Sequence, residues 1–323
     1  MICPLLLVLF FLQSCESGDV RLSPDLRSAD LEEHIEWLAD STLAGRLAGS
    51  PGEARAANYI LNHFRQFGLE PAGDEGTYLQ LFQLDGPIAE AMGQDRHLSR
   101  NVIALVPGTS RPDEVIVLGA HYDGQGHGGV ISLEHEEVRV VHPGADDNAS
   151  GVAGLLELAH YFSESPAQRT LLFAAFSGEE LGLIGSRHMV TRPPFQDAEF
   201  LAMVNLDMIG RLRGQQLTIS GTGTMDLWEE LLSDLNRQAE PLQLEFVNLG
   251  SASSDHTSFH ENGIPALHLF TGTHEDYHRP GDLPEKINIE GALEVLRFVQ
   301  ELITGLDQLA PDEFLFSENE GRE

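Results

Sequence analysis

Short, mostly apolar segments alternate with helical patterns through this chain, and this alternation constrains the fold more than any other feature. The apolar segments predict buried strands at 115–118, 171–176, 201–206 and 264–270. Helical patterns predict helices at 30–39, from Pro51 to Gly68, and at 152–162, 181–190, 225–238 and 289–306. Buried strands separated by helices indicate an α/β fold with a mostly parallel central sheet that helices cover on both faces.

Length and composition indicate one core and argue against one class of partner. The chain has 323 residues, of which 41% are hydrophobic, so it is long and apolar enough for a single well-filled domain. We predict that this domain spans residues 29–309 and that an acidic tail follows at 310–323. The formal net charge of −32 argues against nucleic acid as a partner, because phosphate binding requires basic patches.

The N-terminal residues predict export. Residues 1–14 contain an apolar run that is too short to span a bilayer but suits a signal peptide, and 15–28 form a polar tether. The segment from Leu12 to Cys15 resembles a bacterial lipobox, in which the cysteine is lipidated after cleavage. We therefore expect a periplasmic, extracellular or membrane-anchored protein, attached to the membrane through lipidated Cys15. The other cysteine is Cys3, so the folded body has no disulfide framework.

Histidine and carboxylate residues follow the predicted strands. His121-Tyr122-Asp123 comes after the first strand, Glu179-Glu180 after the second, and Asp207 at the end of the third. In open α/β sheets, ligands bind beyond the carboxyl ends of the strands, so these side chains should meet at one edge. Two further motifs accompany them. Residues 144–151 form a turn that runs into a helix between the first two strands, and 277–282 come after the last strand.

This set of residue types predicts a metal centre. Imidazole and carboxylate groups together suit zinc, and a single catalytic zinc needs three protein ligands. More candidates converge here than one ion requires, whereas two ions that share a bridging carboxylate would use them all. Asp146 and Asp147 are neighbours, and either of them could be the shared ligand.

The order and placement of these motifs resemble peptidase family M28, a family of zinc peptidases, over about residues 29–306. The resemblance implies a zinc-exopeptidase-like α/β/α sandwich with two Zn²⁺ per chain and a cis peptide bond after Asp147. It also implies a role for each matching residue. Asp147 would bridge the ions, Glu180 and His278 would complete one site, and His121 and Asp207 the other. Glu179 would be the general base, and Asp123 would orient His121.

One segment departs from the family pattern. Some relatives offer a tyrosine to the oxyanion from the residues before Ser254-Asp255-His256, but the sequence there is Gly250-Ser251-Ala252-Ser253. Tyr277 is a candidate substitute for that tyrosine. Asp255 and His256 either line the site or serve a structural role.

The resemblance implies hydrolysis of peptide bonds, with an aminopeptidase that releases N-terminal residues as the first expectation. The alternatives are a carboxypeptidase or N-acyl amidase on the same site, a glutaminyl cyclase with one zinc, and a non-catalytic binding relative. His121 and Asp207 are both present, which favours two metals and argues against the cyclase. All the matching ligands are retained together with Glu179, which argues against a binding protein.

Overall fold

The computed structural model describes residues 25–135, 139–194, 199–237, 242–248 and 254–317. The predicted signal peptide, Cys15 and most of the tether lie outside these residues, so export and lipidation stay predictions. The segment at 249–253, which lacks the tyrosine of some relatives, also lies outside them. Among the described residues, no helix combines the length and the apolar character needed to cross a bilayer.

Helices and strands alternate along the described chain. The helices are α1 (Ser28–Leu38), α2 (Pro51–Gln66), α3 (Pro87–Ala91), α4 (Gly151–Glu164), α5 (Ile184–Thr191), α6 (Trp228–Asn236), α7 (His256–His260) and α8 (Ile289–Gln308). The strands are β1 (Glu70–Pro71), β2 (Leu79–Gln83), β3 (Leu98–Val106), β4 (Arg111–His121), β5 (Arg169–Phe176), β6 (Glu199–Leu206), β7 (Gln216–Ser220), β8 (Gln243–Val247) and β9 (Ala266–Phe270).

These strands form one sheet in the order β1-β3-β5-β4-β6-β9-β7-β8, and β2 also pairs with β3. The four predicted strands are β4, β5, β6 and β9, and they are parallel neighbours at its centre. The prediction of a central sheet flanked by helices is confirmed. Towards the edges the sheet is mixed, because β3 runs antiparallel to β5 and β7 antiparallel to β9.

Strand β5 shows how the sheet supports a helix layer on each face. Its residues Leu171, Phe173 and Ala175 face a large core that includes side chains of α1, α2, α4 and α8. The alternate residues Leu172, Ala174 and Phe176 face a second core that contains Met189 of α5 and Phe259 of α7. Alternate side chains of a strand point to opposite faces, so a strand that is buried on both faces is apolar throughout.

The observed start of helix α2 agrees with the sequence prediction, whereas that of helix α6 differs from it. Helix α2 begins at Pro51 with Ser50 as its N-cap, because the hydroxyl of Ser50 accepts a hydrogen bond from the amide of Glu53 at 3.2 Å. Helix α6 begins three residues later than predicted, at Trp228. The reason is that Met225 pairs with Phe316 in an isolated β-bridge.

The predicted acidic tail begins with residues that pack on the body. Phe314 is buried, and the guanidinium of Arg169 lies 5.0 Å from the centre of its ring. The amide of Ser317 donates to the carbonyl of Thr224 at 3.0 Å. The C-terminal segment up to residue 317 is therefore held against β5 and the turn before α6.

A cluster of titratable side chains joins α1, α2 and α4. Nδ1 of His34 lies 2.7 Å from the hydroxyl of Tyr59, and Nε2 lies 3.5 Å from a carboxylate oxygen of Glu157. Burial lowers the pKa of His34 to about 4 and that of His63 to about 3. Burial, together with nearby Asp30, raises the pKa of Glu157 to about 8. The helices therefore pack around imidazoles that are neutral at neutral pH.

This cluster predicts acid-sensitive packing. An unfolded chain protonates His34 below pH 6.5, but the folded protein does so only near pH 4, so stability is lost as the pH falls between these values. At pH 5 the loss from His34 amounts to about 2 kcal/mol. Urea unfolding at pH 7 and pH 5 should show a smaller pH dependence in His34→Gln than in the wild type.

The control for this prediction is His97→Gln, because His97 is exposed. The raised pKa of Glu157 gives a contribution to stability that grows as the pH falls, opposite to that of His34. Because Glu157 also contacts His34, the comparison is repeated in a Glu157→Gln background. An unchanged pH dependence in His34→Gln would contradict the assignment.

Candidate metal centre

Three neighbouring parallel strands bring the candidate side chains to one edge of the sheet. Strand β4 ends at His121, the turn after β5 carries Glu179 and Glu180, and Asp207 follows the last residue of β6. Because β4 lies between β5 and β6 and is parallel to both, their carboxyl ends lie side by side.

The first ligand group consists of His121, Asp147 and Asp207. Nε2 of His121 lies 3.4 Å from Oδ1 of Asp147 and 3.5 Å from Oδ1 of Asp207. One ligand atom from each residue lies within 4.8 Å of the others, and all three residues are buried. This spacing is compatible with a single ion at the centre of the group.

The second ligand group consists of Asp147, Glu180 and His278, which are also brought within 4.8 Å. Nε2 of His278 lies 3.3 Å from Oδ2 of Asp147 and 3.5 Å from Oε2 of Glu180. Asp147 therefore turns one oxygen towards each imidazole, which is the arrangement of a bridging carboxylate. The structure brings together all five residues that the sequence proposed as ligands.

Asp146, the alternative to Asp147, is turned towards other partners. Its Oδ1 accepts hydrogen bonds from the amide of Gly210 at 2.7 Å and the hydroxyl of Ser150 at 3.0 Å. Its Oδ2 lies 3.2 Å from Nε2 of His274. The side chain of Asp146 thus anchors the loop, and among the described residues Asp147, not Asp146, belongs to the candidate ligand groups.

The loop that presents Asp147 has an unusual backbone. Gly144 has a φ of 59°, and a Cβ there would lie 2.1 Å from the carbonyl oxygen of Asp147, so glycine is required. The peptide bond between Asp147 and Asn148 is cis, as the resemblance implies. The side chain of Asn148 then ties the loop to the end of β6, donating to the carbonyl of Leu206 and accepting from the amide of Met208.

Hydrogen bonds orient the candidate ligands. Nδ1 of His121 lies 3.2 Å from the carbonyl oxygen of Asp123, and Nδ1 of His278 lies 2.8 Å from that of Ile131. A carbonyl only accepts, so Nδ1 carries the proton in both rings and Nε2 is left for a metal. Asp207 Oδ2 accepts from the hydroxyl of Ser254 at 2.7 Å, and Ser254 Oγ accepts from the side-chain Nδ2 of Asn205 at 2.8 Å.

Burial of these carboxylates favours the binding of cations beside them. Desolvation, with Asp147 beside it, raises the pKa of Glu180 to about 8. Burial opposes protonation of His278, but Glu180 and Asp147 outweigh it and raise the pKa of that imidazole to about 9. Oε1 of Glu180 is buried and has no hydrogen-bond partner among the described residues. Divalent cations at this position would satisfy these groups, and mixed imidazole and carboxylate ligands suit zinc.

Glu179 and Tyr277 lie at the partly exposed side of this centre. The amide of Glu179 donates to Oδ1 of Asp123 at 3.2 Å, and the same oxygen lies 3.7 Å from Nδ1 of His121. Asp123 therefore links the residue proposed as general base to a proposed ligand. The ring of Tyr277 lies against that of His278, with centroids 3.9 Å apart.

Asp255 and His256 lie behind the ligands. Both are buried, and His256 stacks on His268, whose Nε2 lies 3.8 Å from Oδ2 of Asp207. Burial lowers the pKa of His256 well below its ordinary value and raises that of Asp255 to about 7. Neither residue belongs to the two ligand groups found among the described residues.

Two buried charged residues beside the ligands were not predicted from the sequence. Arg46 donates to backbone carbonyls on both sides of the first ligand group, and Asp282 accepts from the amides of Asp146 and Asp147. Asp282 falls in a motif that the sequence singled out, but Arg46 lies in a segment without a strand or helix pattern. Its position after a glycine is the one local signal that the sequence offers.

Comparison with known proteins identifies the same family that the sequence motifs resemble. Residues 101–303 match the model of Peptidase family M28. A probable leucine aminopeptidase of Arthroderma otae is 31% identical over 219 residues, which cover 62% of this chain and 56% of that protein. The matches to three further curated relatives cover 24%, 26% and 41% of their lengths, so the chain spans about half or less of these proteins.

Solved structures share the fold. A zinc aminopeptidase of Bacillus subtilis superposes with a TM-score of 0.67 at 18% identity, covering 92% of this chain and all of that one (100%). A glutaminyl cyclase of Bacteroides thetaiotaomicron superposes with a TM-score of 0.70 at 17% identity, covering 86% and 98%. At these identities the likeness shows the fold and does not distinguish the two activities.

Asp147 belongs to both ligand groups, and this predicts how zinc affects the stability of the folded protein. Zinc that binds the folded state raises its stability, by about 2.7 kcal/mol for each site at a free concentration of 100 Kd. Addition of Zn²⁺ to chelator-treated protein should therefore raise the Tm. Asp147→Asn should remove most of this increase, because Asp147 belongs to both ligand groups.

The exposed carboxylate of Asp95 gives a matched control for non-specific zinc binding to an acidic surface. Asp95→Asn should keep the whole zinc-dependent increase in Tm. Equal increases in Asp147→Asn and Asp95→Asn would show that zinc acts elsewhere.

Proposed function

Because this chain belongs to peptidase family M28, we propose that it is a zinc-dependent metallopeptidase, and that it acts as an aminopeptidase with two zinc ions. The observation that carries the two-metal proposal is the position of Asp147, whose two carboxylate oxygens face different imidazoles. In this proposal His121 and Asp207 complete one metal site and Glu180 and His278 the other. The substrate is a peptide that has a free N-terminus.

When bound, zinc supplies the Lewis acidity that polarises the scissile carbonyl and lowers the pKa of the attacking water. Glu179 accepts the proton of that water and delivers it to the leaving amine, a role that suits a carboxylate on the partly exposed side of the centre. Asp123 holds the backbone of Glu179 in place through its 3.2 Å hydrogen bond. Tyr277, whose ring lies against that of His278, offers its hydroxyl to the developing oxyanion in this proposal.

The charge around the centre favours an amine over a carboxylate as the recognised end of the peptide. Eight carboxylates lie in the centre or directly beside it, from Asp123, Asp146, Asp147, Glu179, Glu180, Asp207, Asp255 and Asp282. Among the described residues, Arg46 is buried beside this group and Arg211 pairs with Asp282. Two divalent ions and these two arginines carry fewer positive charges than eight ionised carboxylates carry negative ones, so the remaining charge is negative. It attracts a substrate ammonium group and repels a C-terminal carboxylate. This argument favours an aminopeptidase over a carboxypeptidase or an amidase that acts on blocked N-termini.

A substrate panel tests the proposed activity. Aminoacyl chromogenic substrates should be cleaved and their N-acetylated counterparts should not, because acetylation removes the ammonium charge. Activity should disappear with a chelator and return with Zn²⁺. Cleavage restricted to blocked substrates or to C-terminal residues would contradict the aminopeptidase proposal. Cyclisation of an N-terminal glutaminyl peptide without hydrolysis would indicate a cyclase.

The adjacent residues Glu179 and Glu180 should have different roles, Glu179 in proton transfer and Glu180 in zinc binding. Glu179→Gln keeps the size of the side chain but removes the basic oxygen, so kcat should fall at least about a hundredfold with KM little changed. Elemental analysis should still find two zinc ions in this variant. Glu180→Gln should instead bind one ion weakly, and added zinc should restore part of its activity.

This pair of variants also distinguishes the ways in which the assignment can fail. Loss of metal in Glu179→Gln, with two ions kept in Glu180→Gln, would reverse the two roles. Full activity and two ions in both variants would place the active site elsewhere. A single ion in fully active wild-type protein would contradict the two-metal proposal.

A further inference from the structure

The segment before α2 reaches the metal centre through an unusual turn. Ala44, Gly45 and Arg46 are consecutive and have φ values of 51°, 70° and 51°. A Cβ on Gly45 would lie 2.3 Å from the carbonyl oxygen of Gly126 and 2.6 Å from that of His142. The backbone of Gly45 therefore fits closely between two loops, and the turn directs the side chain of Arg46 into the space between them.

Arg46 connects the loops that carry the first ligand group. Its Nε donates to the carbonyl of Tyr122 at 2.9 Å, and Tyr122 directly follows His121. Nη1 and Nη2 donate to the carbonyls of Pro143 and Gly144 at 2.7 and 3.0 Å, at the start of the loop of Asp147. Nη1 also donates to the carbonyl of Leu38 at 2.5 Å. The guanidinium is a planar group with fixed donor directions, so it sets the spacing of these carbonyls.

The charge of Arg46 is preserved although the side chain is 1% exposed. Burial lowers the pKa of the guanidinium to about 10, and Asp147, Asp123 and Asp282 favour its charged form. It is therefore a cation at neutral pH. Among the described residues, all four of its hydrogen bonds go to main-chain carbonyls, so this buried cation organises the backbone around it.

Asp282 makes the corresponding connection for the second ligand group. Its Oδ2 accepts from the amides of Asp146 and Asp147 at 2.9 and 3.0 Å. Asp282 lies in the turn that follows His278, and its Oδ1 accepts from Nη2 of Arg211 at 3.2 Å. The side chain is 2% exposed. It thus ties the backbone of Asp147 to the segment that carries His278.

From these contacts we propose that each metal site has its own positioning residue. Arg46 sets the distance between His121 and Asp147, and Asp282 sets the distance between His278 and Asp147. This proposal rests on the proposed two-metal function. Outer residues that orient metal ligands typically contribute about 10–100-fold to metal affinity. We therefore expect Arg46 and Asp282 to influence different zinc ions, although neither residue is itself a ligand.

The test measures zinc affinity with one site disabled at a time. Glu180→Gln weakens the second site, so the zinc ion that still binds tightly gives the zinc affinity of the first ligand group, which contains His121. Asp207→Asn weakens the first site, so the zinc ion that still binds tightly gives the zinc affinity of the second ligand group, which contains His278. Competition with a chromogenic chelator gives the Kd of that ion in each background. The same titration of the unchanged protein shows whether two ions bind at all.

The expected result is a crossed pattern. Arg46→Lys keeps a positive charge but cannot reach all four carbonyls, so it should weaken zinc about 10–100-fold in the Glu180→Gln background. In the Asp207→Asn background the change should stay within about threefold. Asp282→Asn keeps the shape of the side chain and should give the reverse pattern. A residue that only stabilises the fold would weaken both sites equally, and that result would overturn the proposal.

Two further outcomes are decisive. If Arg46→Lys does not fold, Arg46→Gly with guanidinium in the buffer replaces it, and zinc affinity that does not respond to guanidinium contradicts the role of Arg46. If the unchanged protein binds one zinc or none, the proposed two-metal function fails and this proposal fails with it. If zinc affinity follows the crossed pattern but no peptidase activity is found, the positioning roles stand and only the proposed function fails.

Discussion

The structure depends on a concentration of negative charge at one edge of its sheet. Buried carboxylates are costly unless cations and hydrogen-bond donors compensate them. Here Asp147, Glu180 and Asp207 meet within two adjoining groups, and Asp147 belongs to both of them. Each carboxylate would repel the others in the absence of bound cations, so the surrounding scaffold must hold them at a spacing that an ion can use.

The sheet and the loops divide that task. Adjacent parallel strands fix the side chains that follow them, because the register of β4 with β5 and β6 sets where His121, Glu180 and Asp207 emerge. Asp147 and His278 come from loops and have no such support from the sheet. The loop of Asp147 is held instead by Arg46, Asn148 and Asp282, through contacts between residues distant in sequence. The carbonyl of His278 accepts from the amide of Leu133. Arg46 and Asp282, the buried charged residues that contact the loop of Asp147, belong to this second means of support.

The same division separates what the sequence could predict from what it could not. The central strands were predicted because a strand buried on both faces is an unbroken apolar run. Strand β3 was missed because Ser99, Arg100 and Asn101 interrupt its apolar pattern, and β8 because its side chains are exposed or half-buried. The five candidate ligands were assigned through the resemblance to peptidase family M28. His121, Glu180 and Asp207 also follow predicted strands, whereas Asp147 and His278 come from loops. The sequence left Asp146 and Asp147 as alternatives, and the hydrogen bonds of Asp146 to Gly210 and Ser150 distinguish them.

The role of Arg46 was not predicted, because it depends on contacts with loops that are distant in sequence. Its partners Tyr122 and Gly144 lie 76 and 98 residues away, and no local pattern reports contacts at that distance. The structure also shows that the position of Arg46 depends on the helix layer. Its fourth acceptor is the carbonyl of Leu38, the last residue of α1. Helix α1 packs on α4 in the large apolar core, and His34 also contacts Glu157 there.

Helix α4 in turn begins at Gly151, directly after the loop that presents Asp147. The packing of α1 on α4 and the geometry of the metal centre are therefore joined through Arg46, through the start of α4, and through the packing of α1 beside the segment at 145–150. Helix α1 supplies none of the five candidate ligands, yet it contributes to their spacing, because it also supplies one of the carbonyls around which the guanidinium is held. The core between these helices and the candidate active site form one connected structure, in which the apolar layer determines where the charged groups can lie.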